Sequence, residues 1–202
     1  MARPIDTKKR QEICDKSVNF FREHGIECSM SRLAEGLSIK RPTLLYHFSD
    51  RAAIFEFAFT NLLAKQAQFV IGKMMEHEHP IDQLYHQVKA VHEFHHGHEE
   101  RILFLTQAIA LSGSDRTKKF IEIGNQAFEI HRQALTKRIV AGIEAGTVHP
   151  CDPAALIHLC RAMIDGLMLQ RVMLDVELAP VHSLLWEVLL APLKRDPLLD
   201  NH

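Results

Sequence analysis

Between Ser29 and Phe48 the chain reads Ser-Met-Ser-Arg-Leu-Ala-Glu-Gly-Leu-Ser-Ile-Lys-Arg-Pro-Thr-Leu-Leu-Tyr-His-Phe, two short helical runs broken at Gly36, Leu37 and Ser38. Leu33, Ala34, Leu37 and Ile39 recur at spacings that bury one face across the break. Lys40, Arg41, Thr43, Tyr46 and His47 crowd the second run with hydrogen-bond donors, so the pair has one side to pack and one to present. Pro42 falls in the first turn of the second run, where its missing N–H is harmless and its fixed φ favours a helix start. This is the pattern of a helix-turn-helix, and it leads us to expect a chain that binds double-stranded DNA.

The residues on either side extend the pattern. Ile13 and Phe20–Phe21 lie on a preceding helix closed by Gly25, Leu33–Ala34 follow, then Thr43-Leu44-Leu45-Tyr46-His47-Phe48, with Arg51 three residues on. From Ile13 to Phe55 these residues resemble the DNA-binding domain of the TetR family of one-component transcriptional repressors. Leu45 stands where that family often carries a phosphate-contacting Tyr, and Lys40 where a small polar residue is common. The resemblance implies an N-terminal three-helix head, a variable helical body that takes a small-molecule effector, and pairing through the last two helices as a four-helix bundle. The DNA-binding set expected here is Ser29, Lys40, Arg41, Thr43, Tyr46, His47 and Arg51, with Lys40, Arg41 and Thr43 on bases and Ser29, Tyr46 and Arg51 on phosphates.

Proline and glycine mark the remaining joints. Ser29 suits a helix N-cap. From Arg51 an apolar-rich run continues without a breaker to about Glu78, which as a helix spans roughly 40 Å. Its first turn, beside Arg51, offers free N–H groups to a phosphate. Breaks at Pro80, Gly97, Ser112-Gly113-Ser114, Gly146 to Pro153 and Pro180 delimit helices near 81–96, 99–111, 115–145, 153–174 and 180–191. No alternating β-branched run, internal repeat or low-complexity segment appears. We therefore expect an all-α fold of about nine helices, a helix-turn-helix domain over 1–50 and a helical effector-binding and dimerisation domain over 51–202.

Charge is divided to match. Residues 1–52 hold 10 Lys and Arg against 7 Asp and Glu, a balance of +3, within a chain of formal charge −1. Arg3, Lys8, Lys9 and Arg10 fit either a DNA-facing tail or an ordinary solvated one. No apolar run approaches the roughly 18 to 20 residues of a membrane span, and Met-Ala-Arg-Pro-Ile-Asp lacks a signal peptide's apolar stretch, so a cytoplasmic protein is expected. Cys14, Cys28, Cys151 and Cys160 show no Cys-x-x-Cys spacing and read as reduced structural thiols.

In the last two helices Leu159, Ala162, Gly166, Leu185, Val188 and Leu189 leave more apolar surface than one core needs, which points to a homodimer. Phe104, Gln107, Phe120, Phe128, Met163, Met168 and Gln170 are the larger side chains where central helices should converge, and they are the candidates for a mostly hydrophobic effector. Fourteen histidines raise another possibility. His92, His95 and His96 have a spacing that can hold Zn²⁺, and Glu76/His79 and Glu93/His96 repeat a Glu-x-x-His pattern. The two repeats lie roughly 20 Å apart along a helix, however, and the plainer reading of His92, His95 and His96 is a solvated polar face without metal. There is no Gly-x-Ser-x-Gly elbow, phosphate-binding glycine loop or dinucleotide fingerprint, so neither an enzyme nor a bound cofactor is expected. A DNA-binding protein with the same head but no ligand control, and a His-rich metal-binding helical protein, stand as alternatives.

Overall fold

A computed structural model describes residues 6–111 and 113–195; Arg3 and Ser112 lie outside them. The helices are α1 (Thr7–His24), α2 (Met30–Gly36), α3 (Arg41–His47), α4 (Arg51–Met75), α5 (Pro80–His95), α6 (Glu99–Ala110), α7 (Ser114–Glu144), α8 (Pro153–Leu174) and α9 (Leu178–Leu184). Among the described residues the only β pairing is an isolated bridge between Val148 and Lys194. The fold is all-α, with a helix-turn-helix at its N-terminal end.

The helix ends follow side-chain chemistry. Asp6 accepts the Lys9 amide at 3.1 Å to open α1, and Gly25, at φ 88°, closes it. Asp152 accepts the amides of Ala154 and Ala155 at 2.9 and 3.1 Å to open α8 behind Pro153. α4 stops at Met75 rather than near Glu78. Pro80 holds His79 extended, and the His79 Nδ1 then accepts the Ile81 amide at 3.2 Å to cap α5. The last helix also differs from expectation. It begins at Leu178, because Pro180 is tolerated in a first turn, and beyond Leu184 it loosens into a π-helical stretch, Leu185–Leu190, and a 3₁₀ turn.

The chain divides into two compact units. The first takes in the chain up to Leu63 together with Arg101–Gly124; the second takes in Ala64–Glu100 and the chain from Asn125 onward. Helices α4 and α7 each contribute their first part to the first unit and their remainder to the second. The first unit buries Ile13, Val18, Phe21, Leu33, Leu44, Phe48 and Ile54. Phe21 meets Phe55 with ring centroids 5.0 Å apart, Phe48 meets Phe57 at 5.6 Å, and the Arg10 guanidinium lies over both Phe48 and Phe57. In the second unit α5 is the central element, packed on α8 and on the π-helical stretch, with Ile81, Leu84, Val88, Ala90 and Val91 buried. Among the described residues no helix is long and apolar enough to cross a membrane.

Candidate nucleic-acid interface

The interface is built from α2, its turn and α3. The Ser29 hydroxyl accepts the Arg32 amide at 3.2 Å, so α2 is capped as its sequence suggested. The turn itself is carried by Ser38 at φ 54°, with the Ser38 amide donating to the Glu35 carbonyl and the Ile39 amide to that of Ala34. Gly36 therefore serves packing rather than backbone freedom: a Cβ there would run into the Phe20 ring.

Seven-residue α3 has a clear inside and outside. Leu44 and His47, one turn apart, are buried together, and Phe48 closes the helix beneath them. Lys40, Arg41 and Thr43 are exposed, and Tyr46 is 49% exposed. Four of the expected DNA-facing side chains are thus exposed, on both flanks of the buried Leu44–His47 stripe.

Two of the expected contacts are corrected. His47 turns inward, edge-on to Tyr46 at 5.2 Å, because its place in the 3.6-residue period puts it on the Leu44 stripe. Its Nδ1 is buried without a hydrogen-bond partner. Arg51 bends back on the chain before α2, donating to the Ile26 carbonyl at 2.8 Å and to the Glu27 carboxylate at 3.2 Å. The start of α4 is not free for a phosphate either. Asp50 Oδ1 accepts the Ala53 amide at 2.9 Å, so a carboxylate already occupies the end of the helix dipole.

Sequence reading missed the partner of that carboxylate. Arg116, in the first turn of α7, forks onto both Asp50 oxygens at 3.0 and 2.9 Å. The guanidinium holds the Asp50 carboxyl below its usual range. That partner lies 66 positions away in sequence, beyond the reach of any local pattern.

In the second unit the histidine expectation is overturned. His92 and His95 are buried rather than solvated, and only His96 of that group is exposed. His95 Nε2 lies 2.8 Å from the Gln66 side-chain oxygen and so donates to it. His92 Nε2 is 3.2 Å from the Ile164 carbonyl, an acceptor only, which leaves Nδ1 bare. His182 Nε2, 2.8 Å from that Nδ1, must therefore carry the N–H between them. Burial first, then the neighbouring His92 and the charges of Lys89 and Arg171, push His182 down to about 4, and burial lowers His92 as well. His79 has both nitrogens engaged, Nδ1 on Ile81 and Nε2 on the Thr147 carbonyl at 3.1 Å. Among the described residues no group of three His, Cys, Asp or Glu side chains is arranged to hold a metal ion. The four thiols are free, and burial raises Cys14 to about 12 and Cys160 to about 11.

The effector candidates fall in both units. In the first, Phe104 meets the Phe55 ring at 6.0 Å, Phe120 meets Phe59 at 5.7 Å and Gln107 is exposed. In the second, Phe128 and Met168 are buried, Met163 is half-buried and Gln170 is exposed. A groove of about 630 Å³ does open in the second unit, but polar residues of α7 and α8, among them Arg132, Thr136, His158 and Arg161, line it. None of the seven candidates is part of that groove. Of the expected pairing residues, Leu159, Ala162 and Val188 are exposed and Gly166 and Leu189 half-buried. Leu185 is corrected to the core at 3% exposure, because it faces into its own chain on the stretch that packs against α5.

Residues 13–58 match the family model of bacterial regulatory proteins, tetR family. No curated protein sequence matches the chain significantly. Among solved structures, the fatty acid degradation regulator FadR from Bacillus halodurans superposes with a TM-score of 0.69 at 18% identity, over 92% of this chain and 98% of that one. FadR from Bacillus subtilis in complex with stearoyl-CoA gives 0.70 at 16% identity, over 90% and 97%. AibR in complex with isovaleryl coenzyme A and operator DNA gives 0.57 at 12% identity, over 77% and 83%. At these identities the superpositions speak for the shared fold. With its capped α2 and its turn at Ser38, the segment 13–58 has the helix-turn-helix of the bacterial regulatory proteins, tetR family, whose model it matches.

Proposed function

We propose that the protein is a ligand-responsive regulator, acting as a repressor, that binds a palindromic operator as a homodimer and releases it when a small, mostly hydrophobic effector binds. The observation that supports this reading is α3 itself, where Lys40, Arg41, Thr43 and Tyr46 are exposed around a buried stripe of Leu44 and His47. Lys40, Arg41 and Thr43 read bases, while Ser29 and Tyr46 fix the head on phosphates. One seven-residue recognition helix covers few base pairs, so two copies in successive major grooves are needed. Exposed Leu159, Leu169 and Met173 on α8, with Leu184 and Val188 beyond it, supply apolar surface for the pairing.

Acyl thioesters are the effector class to screen first, because two structures of the same fold hold stearoyl-CoA and isovaleryl coenzyme A. Binding turns α4, one helix shared by both units, and the two recognition helices then no longer fit their grooves. Release requires that the effector prefer the released conformation, since equal affinity for both shifts nothing. The alternative is the same head without ligand control. Selection of duplexes from a random-sequence pool, followed by thermal shift and gel shift with stearoyl-CoA and shorter acyl-CoAs, separates the readings. A ligand at 100 times its Kd adds about 2.7 kcal/mol of stability and must also weaken binding to the selected duplex. Selection of no duplex refutes the reading outright; stabilisation without release leaves the unregulated one.

A further inference from the structure

We propose that Arg116, on α7, is a positioning residue for DNA reading, which acts by gripping Asp50 and thereby fixing the first turn of α4 beneath the recognition helix. The inference rests on the reading of α3 as the DNA-contacting element. Only Phe48, Ser49 and Asp50 separate α3 from α4, so whatever orients the start of α4 orients α3 with it. Asp50 is used twice: one oxygen caps α4 through the Ala53 amide, and both oxygens take the Arg116 fork. A fork onto a planar carboxylate fixes direction as well as distance, which a single ammonium cannot do.

The grip has little to do with holding the unit folded. Both side chains are 43% exposed, and they stand at the wall of an open cleft of about 320 Å³ that Arg51 and Leu111 also line. Exposed ion pairs of this kind contribute little to stability. Two further contacts tie α7 to α4 within the same unit, Lys119 to Glu56 at 2.7 Å and Phe120 to Phe59 at 5.7 Å between ring centroids. The first part of α7 therefore travels with the start of α4. α7 is 31 residues long, and the part that carries Arg116 belongs to the same unit as Asp50.

The test uses Arg116→Gln, Arg116→Lys, Asp50→Asn and the double variant Asp50→Asn/Arg116→Gln. Asparagine keeps the helix cap and removes only the charge partner. One readout is affinity for a duplex selected by the wild-type protein from a random-sequence pool. The other is amide hydrogen exchange at Ala53 and Ile54, which needs no DNA. We expect each single variant to lower affinity roughly three- to tenfold and to speed exchange in that turn, with the double variant no worse than either single one. Arg116→Lys should behave as Arg116→Gln, because the fork rather than the charge is lost. Effects that add in the double variant, rescue by lysine, or unchanged exchange in Arg116→Gln would overturn the proposal. If the wild-type protein selects no duplex, the DNA reading itself falls, whereas normal selection with unaffected variants sinks only the role of Arg116.

Discussion

The His92–His182 contact makes the stability of the second unit depend on acid. Both rings are neutral in the arrangement described, with His182 donating to His92 across 2.8 Å and His92 donating to Ile164. His182 is 9% exposed, and its proton affinity falls from the usual 6.5 to about 4. The folded chain therefore binds this proton less readily than the unfolded chain does. Between pH 6.5 and 4 the unfolded state holds more protons, so the contribution is complete above pH 6.5 and is lost as pH falls through that window. From pH 7.5 to 5.0 the loss from this site works out at about 2 kcal/mol, a sizeable part of an ordinary domain's 5–15 kcal/mol.

A proton on either ring is opposed by burial and by the positive charge of Arg171, on His182 by that of Lys89 as well, and protonating both would set two imidazolium rings against each other. Urea unfolding at pH 7.5 and 5.0 measures the difference in the wild-type protein and in His182→Gln, whose amide N–H still reaches the bare His92 Nδ1 but does not titrate. The variant should lose about 2 kcal/mol less on acidification than wild type. Equal losses in the two proteins would show that the acid sensitivity lies elsewhere.

Arg41→Ala and Tyr46→Phe should weaken binding to the selected duplex in gel-shift titrations, Arg41→Ala by about 1–3 kcal/mol if it reads a base. Binding that does not fall with added salt would exclude a phosphate-docking head. Val188→Asp, at a side chain 67% exposed, should leave a folded chain and shift sedimentation from dimer to monomer. Leu185→Asp should cost about 3–5 kcal/mol of folding stability by burying an unpaired charge, a contrast that thermal melts resolve. Gly36→Val should destabilise the first unit by about 1–3 kcal/mol through its clash with Phe20, seen as a lower urea midpoint with m unchanged.

The helices were legible wherever a local rule decides them. Ser29 caps α2 through its own hydroxyl, Pro42 opens α3, and Gly25 closes α1 with a positive φ that few other residues accept. Legibility ended where a residue's role depends on which side of its helix is covered. His92 and His95 look like a polar face in a linear pattern, yet Gln66, Ile164 and His182 supply the partners that let them be buried, and all three are distant in sequence. Leu185 and Val188 both read as pairing residues, but the π-helical stretch turns one inward and the other outward. Arg51 was assigned to phosphate because it follows the recognition helix. Only the fold reveals that Ile26 and Glu27 already hold it.

In the first unit, the placements of His47 and Arg51 bear on how α3 is held. A seven-residue helix cannot fix its own orientation, so α3 is positioned by what lies under it and after it. Leu44, His47 and Phe48 anchor the underside, and Phe48 is held in turn by Phe57 and the Arg10 guanidinium. The far end is set by Asp50, where backbone amide and guanidinium converge on one carboxylate. Arg51, suited to phosphate by sequence, instead ties the start of α4 to Ile26 and Glu27 in the segment before α2. The exposed polar side chains of this segment are Lys40, Arg41, Thr43 and Tyr46, the ones proposed to meet the nucleic acid. So small a surface reads sequence only when its angle to the groove is fixed, and that angle is set by packing in the unit that contains α6 and the first part of α7.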